Sequence, residues 1–336
     1  MNASMRRLIG TTCAVLLCSG AAHAGSYQYQ TIDNAADPSF NELLGINNGG
    51  VIAGYYGDGT GVANSGYTLA GGVYTGNNFP GSAQTQVSAI NNSAFPVIAG
   101  SYTDVGGNSF GFFQTSGVFH TVENPSTPAS GTVVNRLLGL NDFGKAVGFY
   151  QDAGGAAHGY VYDTFAATFT PVSLPGAFNA TASTATGINN AGTVAGFYVS
   201  GGIDHGFLDI GGSYMTVDDP NGTNTEILGL NNNGFAVGSY TDASGMRQGF
   251  VFDWLANSFQ TVSDPNASGT AAFGISGTTA TGINDQGDVV GYYSDGLNVN
   301  GFEATAAQTD VPEPATLALL GLGLAGIGLT RKRKSD

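Results

Sequence analysis

Apolar and polar positions alternate in short runs through residues 27–303, and Gly, Asn, Asp, Ser or Pro bounds each run. The runs are rich in β-branched and aromatic residues, as in Tyr214-Met215-Thr216-Val217 and Phe259-Gln260-Thr261-Val262. A period of two in such residues predicts short strands. Asn-x-x-Gly stretches such as Asn189 to Gly192 predict tight turns between them, because Asn and Gly tolerate positive φ.

The runs recur as a unit. Gly-Ile/Leu-Asn-Asn/Asp stands at 45–48, 139–142, 187–190, 229–232 and 282–285, and Ala89-Ile90-Asn91-Asn92 fills the remaining place. The first Asn of each copy falls at 47, 91, 141, 189, 231 and 284, a mean spacing of about 47 residues. Each motif leads to a small apolar residue, a glycine and then a tyrosine, as in Ala53-Gly54 with Tyr56 and Val237-Gly238 with Tyr240. A Gly-aromatic pair follows: Gly66-Tyr67, Gly111-Phe112, Gly159-Tyr160, Gly206-Phe207, Gly249-Phe250 and Gly301-Phe302. A fourth run of the form aromatic-x-Thr-Val closes the unit, for example Phe119 to Val122. Four strands per unit of this length predict a propeller blade.

The sixth unit lacks its fourth run after Phe302, yet Tyr29-Gln30-Thr31-Ile32-Asp33 is a fourth run standing ahead of the first unit. Joining the two completes six blades and closes a ring, which removes open sheet edges. The expected fold is therefore all-β: a six-bladed β-propeller over residues 25–310, closed by its N-terminal strand. A β-solenoid is the alternative, but it has no need for the split unit.

The repeat resembles the HAF family of extracellular repeat proteins, named for a short His-aromatic motif. His158-Gly159-Tyr160 and His205-Gly206-Phe207 come near that motif, while Ser65, Phe110, Gln248 and Asn300 replace the His elsewhere. The resemblance covers roughly residues 27–303 and implies an exported repeat protein with no agreed chemistry.

Composition narrows the function. Only 10% of the 336 residues are charged and 54 are glycine, against about 25% charged and about 7% glycine in ordinary globular chains. Between residues 25 and 310 only Arg136, Lys145 and Arg247 are basic against 22 acidic residues, a formal net charge of −19. That sign excludes nucleic acid held by phosphate neutralisation and argues against docking on anionic lipid.

The two ends read as addresses. Residues 1–24 have the form of a secretory signal, with Arg6 and Arg7, an apolar Leu8 to Leu17 and an Ala22-His23-Ala24 cleavage site, so Gly25 begins the mature chain. A short N-terminal anchor is the alternative. Both cysteines, Cys13 and Cys18, lie in that signal, leaving no disulfide, thiolate metal site or cysteine nucleophile after it. At the other end, Val311-Pro312-Glu313-Pro314 precedes an uncharged stretch over 315–330 and then Arg331-Lys332-Arg333-Lys334. The stretch is short for a full span of about 20 residues, and the basic cluster would stay cytoplasmic. These three parts over residues 311–336 resemble the PEP-CTERM sorting signal. The resemblance implies transient inner-membrane anchoring by 315–330 and processing by an exosortase-type enzyme. The body would then reach the cell surface or extracellular matrix; a plain membrane anchor is the alternative.

No catalytic constellation stands out. Histidine in the body is limited to His120, His158 and His205, and neither metalloprotease nor nucleophile-elbow motifs occur. Asp58, Asp104, Asp152, Asp242 and Asp295 each follow the tyrosine of the second run by two residues. Their ordinary reading is turn chemistry; calcium is the functional one, since oxygen-rich loops suit a hard cation. No other cofactor is implied. Asp218, Asp219 and Glu226 form the densest acidic group between two units, and paired carboxylates hydrolyse glycosides when held roughly 5–10 Å apart. The inter-unit segments vary most in length and should share one face with the second-to-third strand turns, as a binding surface would. The sequence thus points to a non-enzymatic module that binds exopolysaccharide or another surface protein, as in a biofilm. A neutral glycan suits the −19 body better than an acidic one. A polysaccharide-modifying glycosidase or lyase on the same scaffold is the alternative. Unrepeated carboxylates in the central mouth would favour that alternative.

Overall fold

The structure is a computed structural model and describes residues 27–306. The signal over 1–24, Gly25, the 311–336 sorting segment and its apolar stretch lie outside the described residues.

Strand β1 (Tyr27–Ile32) comes first. The first blade is β2 (Asn41–Ile46), β3 (Ile52–Tyr56), β4 (Ser65–Ala70) and β5 (Val73–Gly76). The second is β6 (Gln84–Ile90), β7 (Ile98–Thr103), β8 (Ser109–Thr115) and β9 (Val118–Val122). The third is β10 (Asn135–Leu140), β11 (Lys145–Gln151), β12 (Ala157–Asp163) and β13 (Thr168–Pro171). The fourth is β14 (Ala182–Ile188), β15 (Val194–Ser200), β16 (Ile203–Ile210) and β17 (Ser213–Val217). The fifth is β18 (Gly222–Leu230), β19 (Phe235–Asp242), β20 (Arg247–Asp253) and β21 (Ser258–Val262). The sixth holds β22 (Thr278–Ile283), β23 (Val289–Ser294) and β24 (Val299–Ala306), with β1 as its outer strand. The molecule is a six-bladed propeller of four-stranded antiparallel sheets, not a solenoid.

Closure uses the split unit as its sequence implied. β1 pairs with β24 from Tyr27↔Ala306 to Ile32↔Gly301. Side chains reinforce the join: Thr31 Oγ1 lies 2.9 Å from the Tyr293 hydroxyl, and the Gly301 amide donates to Asp33 Oδ1 at 3.1 Å.

The Gly-aromatic pairs build the core. Tyr67, Phe112, Tyr160, Phe207, Phe250 and Phe302 are all at most 1% exposed and sit in the packing between blades. Full burial of such a side chain stabilises by about 1.5–3 kcal/mol. The glycine of the second strand answers a close approach. A Cβ at Gly148 would land on the Arg136 carbonyl oxygen, and one at Gly238 on that of Glu226. Every innermost strand carries a bulge at the same place, between Leu43 and Gly45 in β2 and between Ile227 and Gly229 in β18, for example.

Candidate functional site

The first strand of each blade touches the first strands of both neighbours, so β2, β6, β10, β14, β18 and β22 surround a central channel. Ile46, Ile90, Leu140, Ile188, Leu230 and Ile283 form an apolar collar in it, between spaces of about 380 and 400 Å³. The two mouths beyond differ in chemistry.

The turn mouth carries the repeated Asn-Asn/Asp motif. The first Asn has two tasks. Its Oδ1 caps the turn, as Asn231 does by accepting from the amides of Asn233 and Phe235. Its Nδ2 donates to the backbone carbonyl of the first Asn in the next blade. The series runs Asn47 to Asn91, Asn141, Asn189, Asn231, Asn284 and back to Asn47, at 2.9–3.5 Å. The second position forms another closed ring, in which each amide donates to the next blade's Oδ1. It passes through Asn48, Asn92, Asp142, Asn190, Asn232 and Asp285 at 2.6–3.0 Å. Asp142 and Asp285 stand three blades apart, and each accepts Asn amides from both neighbours. These donors hold the Asp285 carboxyl below the usual carboxylate range, against the opposing effect of its partial burial.

The opposite mouth holds the inter-blade segments and the second-to-third strand turns, as the length variation implied. Three residues before the motif glycine (alanine in the second copy), the innermost strands place Glu42, Gln86, Arg136, Thr184, Glu226 and Thr279. Directly across the sheet stand Tyr55, Ser101, Phe149, Phe197, Ser239 and Tyr292. Residues directly opposite in an antiparallel pair share a face. The Tyr55 hydroxyl donates to Glu42 Oε2 at 2.6 Å. Arg247 Nη1 donates to Glu226 Oε2 at 3.0 Å and to Ser239 Oγ at 3.2 Å. The field of Arg247, from the fifth blade, reaches Glu42 in the first, and that of Arg136, from the third, reaches Tyr55 in the first. The first and third blades are not neighbours, so the latter coupling crosses the channel.

Burial governs the electrostatics here. Glu42 is 9% exposed, and desolvation pushes its carboxyl up to about 7, against the Tyr55 hydrogen bond and the Arg247 charge. Burial also raises Glu226, while Arg247 pulls the other way. It lowers Arg136. The Arg136 Nε is buried without a partner, and its guanidinium makes no hydrogen bond or ion pair among the described residues.

The acidic trio singled out by spacing is not one group. Asp218 faces His205 Nδ1 at 3.0 Å. Asp219 is buried in the inter-blade turn, accepting from the amide and side chain of Asn221. Glu226 alone reaches the channel mouth, because it lies on the innermost strand and the other two precede it. The five repeated aspartates occupy five separate turns. Asp58 Oδ1 accepts from the amides of Thr60, Gly61 and Val62, Asp104 from Gly106 and Asn108, and Asp152 from Gly154 and Ala156. Asp242 accepts from Ser244 and Met246, and Asp295 from Leu297 and Asn298. No three His, Cys, Asp or Glu gather as a metal site among the described residues. His158 lies 2.8 Å from Asp152.

Sequence reasoning passed over Glu42, Tyr55, Arg136, Arg247 and Tyr292. Its available signal was a position that changes chemistry inside a strand that otherwise repeats: three before the motif glycine, the copies read Glu, Gln, Arg, Thr, Glu and Thr.

Comparisons bear on fold and sorting. No curated protein matches the chain in sequence. A TolB candidate from Agrobacterium tumefaciens aligns with a TM-score of 0.53 at 11% identity, over 80% of this chain and 92% of that one. AofleA from Arthrobotrys oligospora aligns at 0.50 and 12% identity, over 84% and 87%. The Aleuria aurantia lectin, described as a six-bladed β-propeller with a fucose recognition mode, aligns at 0.48 and 11%, over 82% and 97%. Likeness at these identities is one of fold. Among the described residues no helix is long and apolar enough to cross a membrane. Residues 310–334 match the PEP-CTERM protein-sorting motif, which implies export to the cell surface and processing by an exosortase.

Proposed function

We propose that this chain is a non-enzymatic binding and structural module of the cell surface or extracellular matrix, with exopolysaccharide or another surface protein as its partner. The observation that carries the reading is the unrepeated polar mouth. Six blade-to-blade connections of varied length surround a position whose chemistry differs between blades, on a ring otherwise built from repeats. Positions released from the repeat on one face are what a binding surface needs. The resemblance of the blades to HAF repeats supports the same exported role. In this reading residues 315–330 hold the chain briefly in the inner membrane until the exosortase-type enzyme acts.

Light scattering of the producing cell's exopolysaccharide, mixed with the exported protein, tests the proposal. A stable rise in polymer mass that tracks added protein is the expected result; polymer of unchanged mass refutes exopolysaccharide as the partner.

One observation favours the polysaccharide-modifying enzyme as a second reading. Glu42 and Glu226 are carboxylates in the mouth at a position where the other four blades have none, and a carboxyl raised to about 7 suits a general acid. A progressive fall in polymer size, abolished by Glu42→Gln, would select that reading.

A further inference from the structure

We propose that the variable mouth receives a single carboxylate of an acidic sugar, and that Arg136 is the residue that grips it. The proposal rests on the reading of the protein as a polysaccharide binder and names the class of sugar.

The body has three basic residues, and two of them, Arg136 and Arg247, reach this one mouth. The third, Lys145, is paired with Asp163 at the turn end of the third blade. Two of the three cations of a −19 body thus gather at one mouth, beside the carboxyl groups of Glu42, Glu226 and Asp204.

Arg136 differs from Glu42, Arg247 and Glu226 in the mouth by having no partner side chain among the described residues. Arg247 is neutralised by Glu226. Tyr55 is committed to Glu42. Arg136 has neither a carboxylate nor a hydrogen-bond acceptor among the described residues, and its Nε is fully covered. The residue is half-buried and its two terminal nitrogens stay open to the mouth, so an incoming anion can reach a charge that no carboxylate of the described residues neutralises. The planar guanidinium fork matches a carboxylate with two parallel hydrogen bonds.

The surroundings favour a sugar. Phe149 stands directly across from Arg136, and Phe197 holds the same position in the next blade; both are half-buried. Aromatic faces beside the charge suit the C–H face of a pyranose ring. The acidic body repels a dense polyanion, so the fitting ligand carries an isolated carboxylate, such as a terminal or sparsely placed uronate. This replaces the neutral glycan that average charge suggested.

Calorimetry on the full exported chain, with glucuronate, glucose and acetate as probes, tests the idea. Glucuronate should bind one per chain, with glucose and acetate each weaker by roughly tenfold or more. Arg136→Gln should reduce glucuronate binding by a similar factor without lowering Tm, since it breaks no hydrogen bond or ion pair of the described residues; a merely structural arginine would lower Tm instead. In the unmutated chain, the Arg136 Nε–H resonance should shift on adding glucuronate, a readout that survives if the variant fails to fold. Glucuronate binding no tighter than glucose, acetate matching glucuronate, or an unmoved Arg136 resonance each overturns the proposal. Exopolysaccharide bound in light scattering while glucuronate is ignored would sink this inference and leave the binding function standing. Glucuronate bound while exopolysaccharide is ignored would do the reverse.

Discussion

The two mouths of the channel are built by the same six strands, only a few residues apart, and follow opposite rules. At the turn mouth each blade contributes the same Asn-Asn/Asp pair, and twelve blade-to-blade hydrogen bonds close two rings. At the other mouth the same strands offer Glu, Gln, Arg, Thr, Glu and Thr, and the guanidinium of Arg136 makes no hydrogen bond or ion pair among the described residues. Repetition marks where the protein is holding itself together. Its interruption, on strands whose backbones still superimpose in pattern, marks where side chains are free to meet something else.

The comparison breaks most sharply at the turn mouth. Asn231→Ala removes a buried side chain that donates to Asn284 and accepts from two amides. It should cost about 3–4 kcal/mol in denaturant unfolding, from lost bonds and stranded backbone groups, and leave ligand binding by the folded fraction unchanged.

Glu42 gives the next effect, and it depends on pH. Its folded carboxyl sits at about 7, above the unfolded value near 4.5. Its contribution is thus fully present below about pH 4.5 and lost as pH rises through 7. Glu42→Gln should match the wild type near pH 4 and exceed it at pH 8, by at most about 3 kcal/mol. Thermal unfolding at the two pH values checks the sign.

Arg247→Gln strands Glu226 without its cation. The pair is partly solvated, so the loss should be nearer 2 kcal/mol than the larger penalty of a fully buried pair. Paired with Arg136→Gln, which should not destabilise, it separates an arginine that stabilises the fold from one that awaits a ligand.

The smallest effect belongs to Asp218→Asn. Asp218 faces His205 on the outer part of the fourth blade and not the channel. Polymer binding and Tm should both stay at wild-type values; a loss of binding would return the site to the inter-blade acidic group.

The fold was legible in residues because each blade repeats its own packing problem. The Gly-aromatic pair of the third strand and the orphan Tyr29 to Asp33 run encode core and closure locally, and both were found where the pattern put them. The Asn rings were half legible. Asn189 to Gly192 reads correctly as a turn, but the Nδ2 that reaches Asn231 acts across 42 residues, which no local pattern reveals. The variable mouth was least legible. Glu42, Arg136 and Glu226 lie in three blades and come to one mouth only after the ring closes, whereas Asp218, Asp219 and Glu226 are close in sequence and are sent to three different places by the turn into β18.

The central claim is that this mouth, and not the turn rings or the blade edges, is where the partner binds. The most direct measurement is light scattering of exopolysaccharide with the exported chain, comparing the wild type with Arg136→Glu. The account predicts that the wild type raises polymer mass and that the charge reversal, still folded by circular dichroism, does not. Equal mass gain by both proteins would place the binding surface elsewhere and contradict the account.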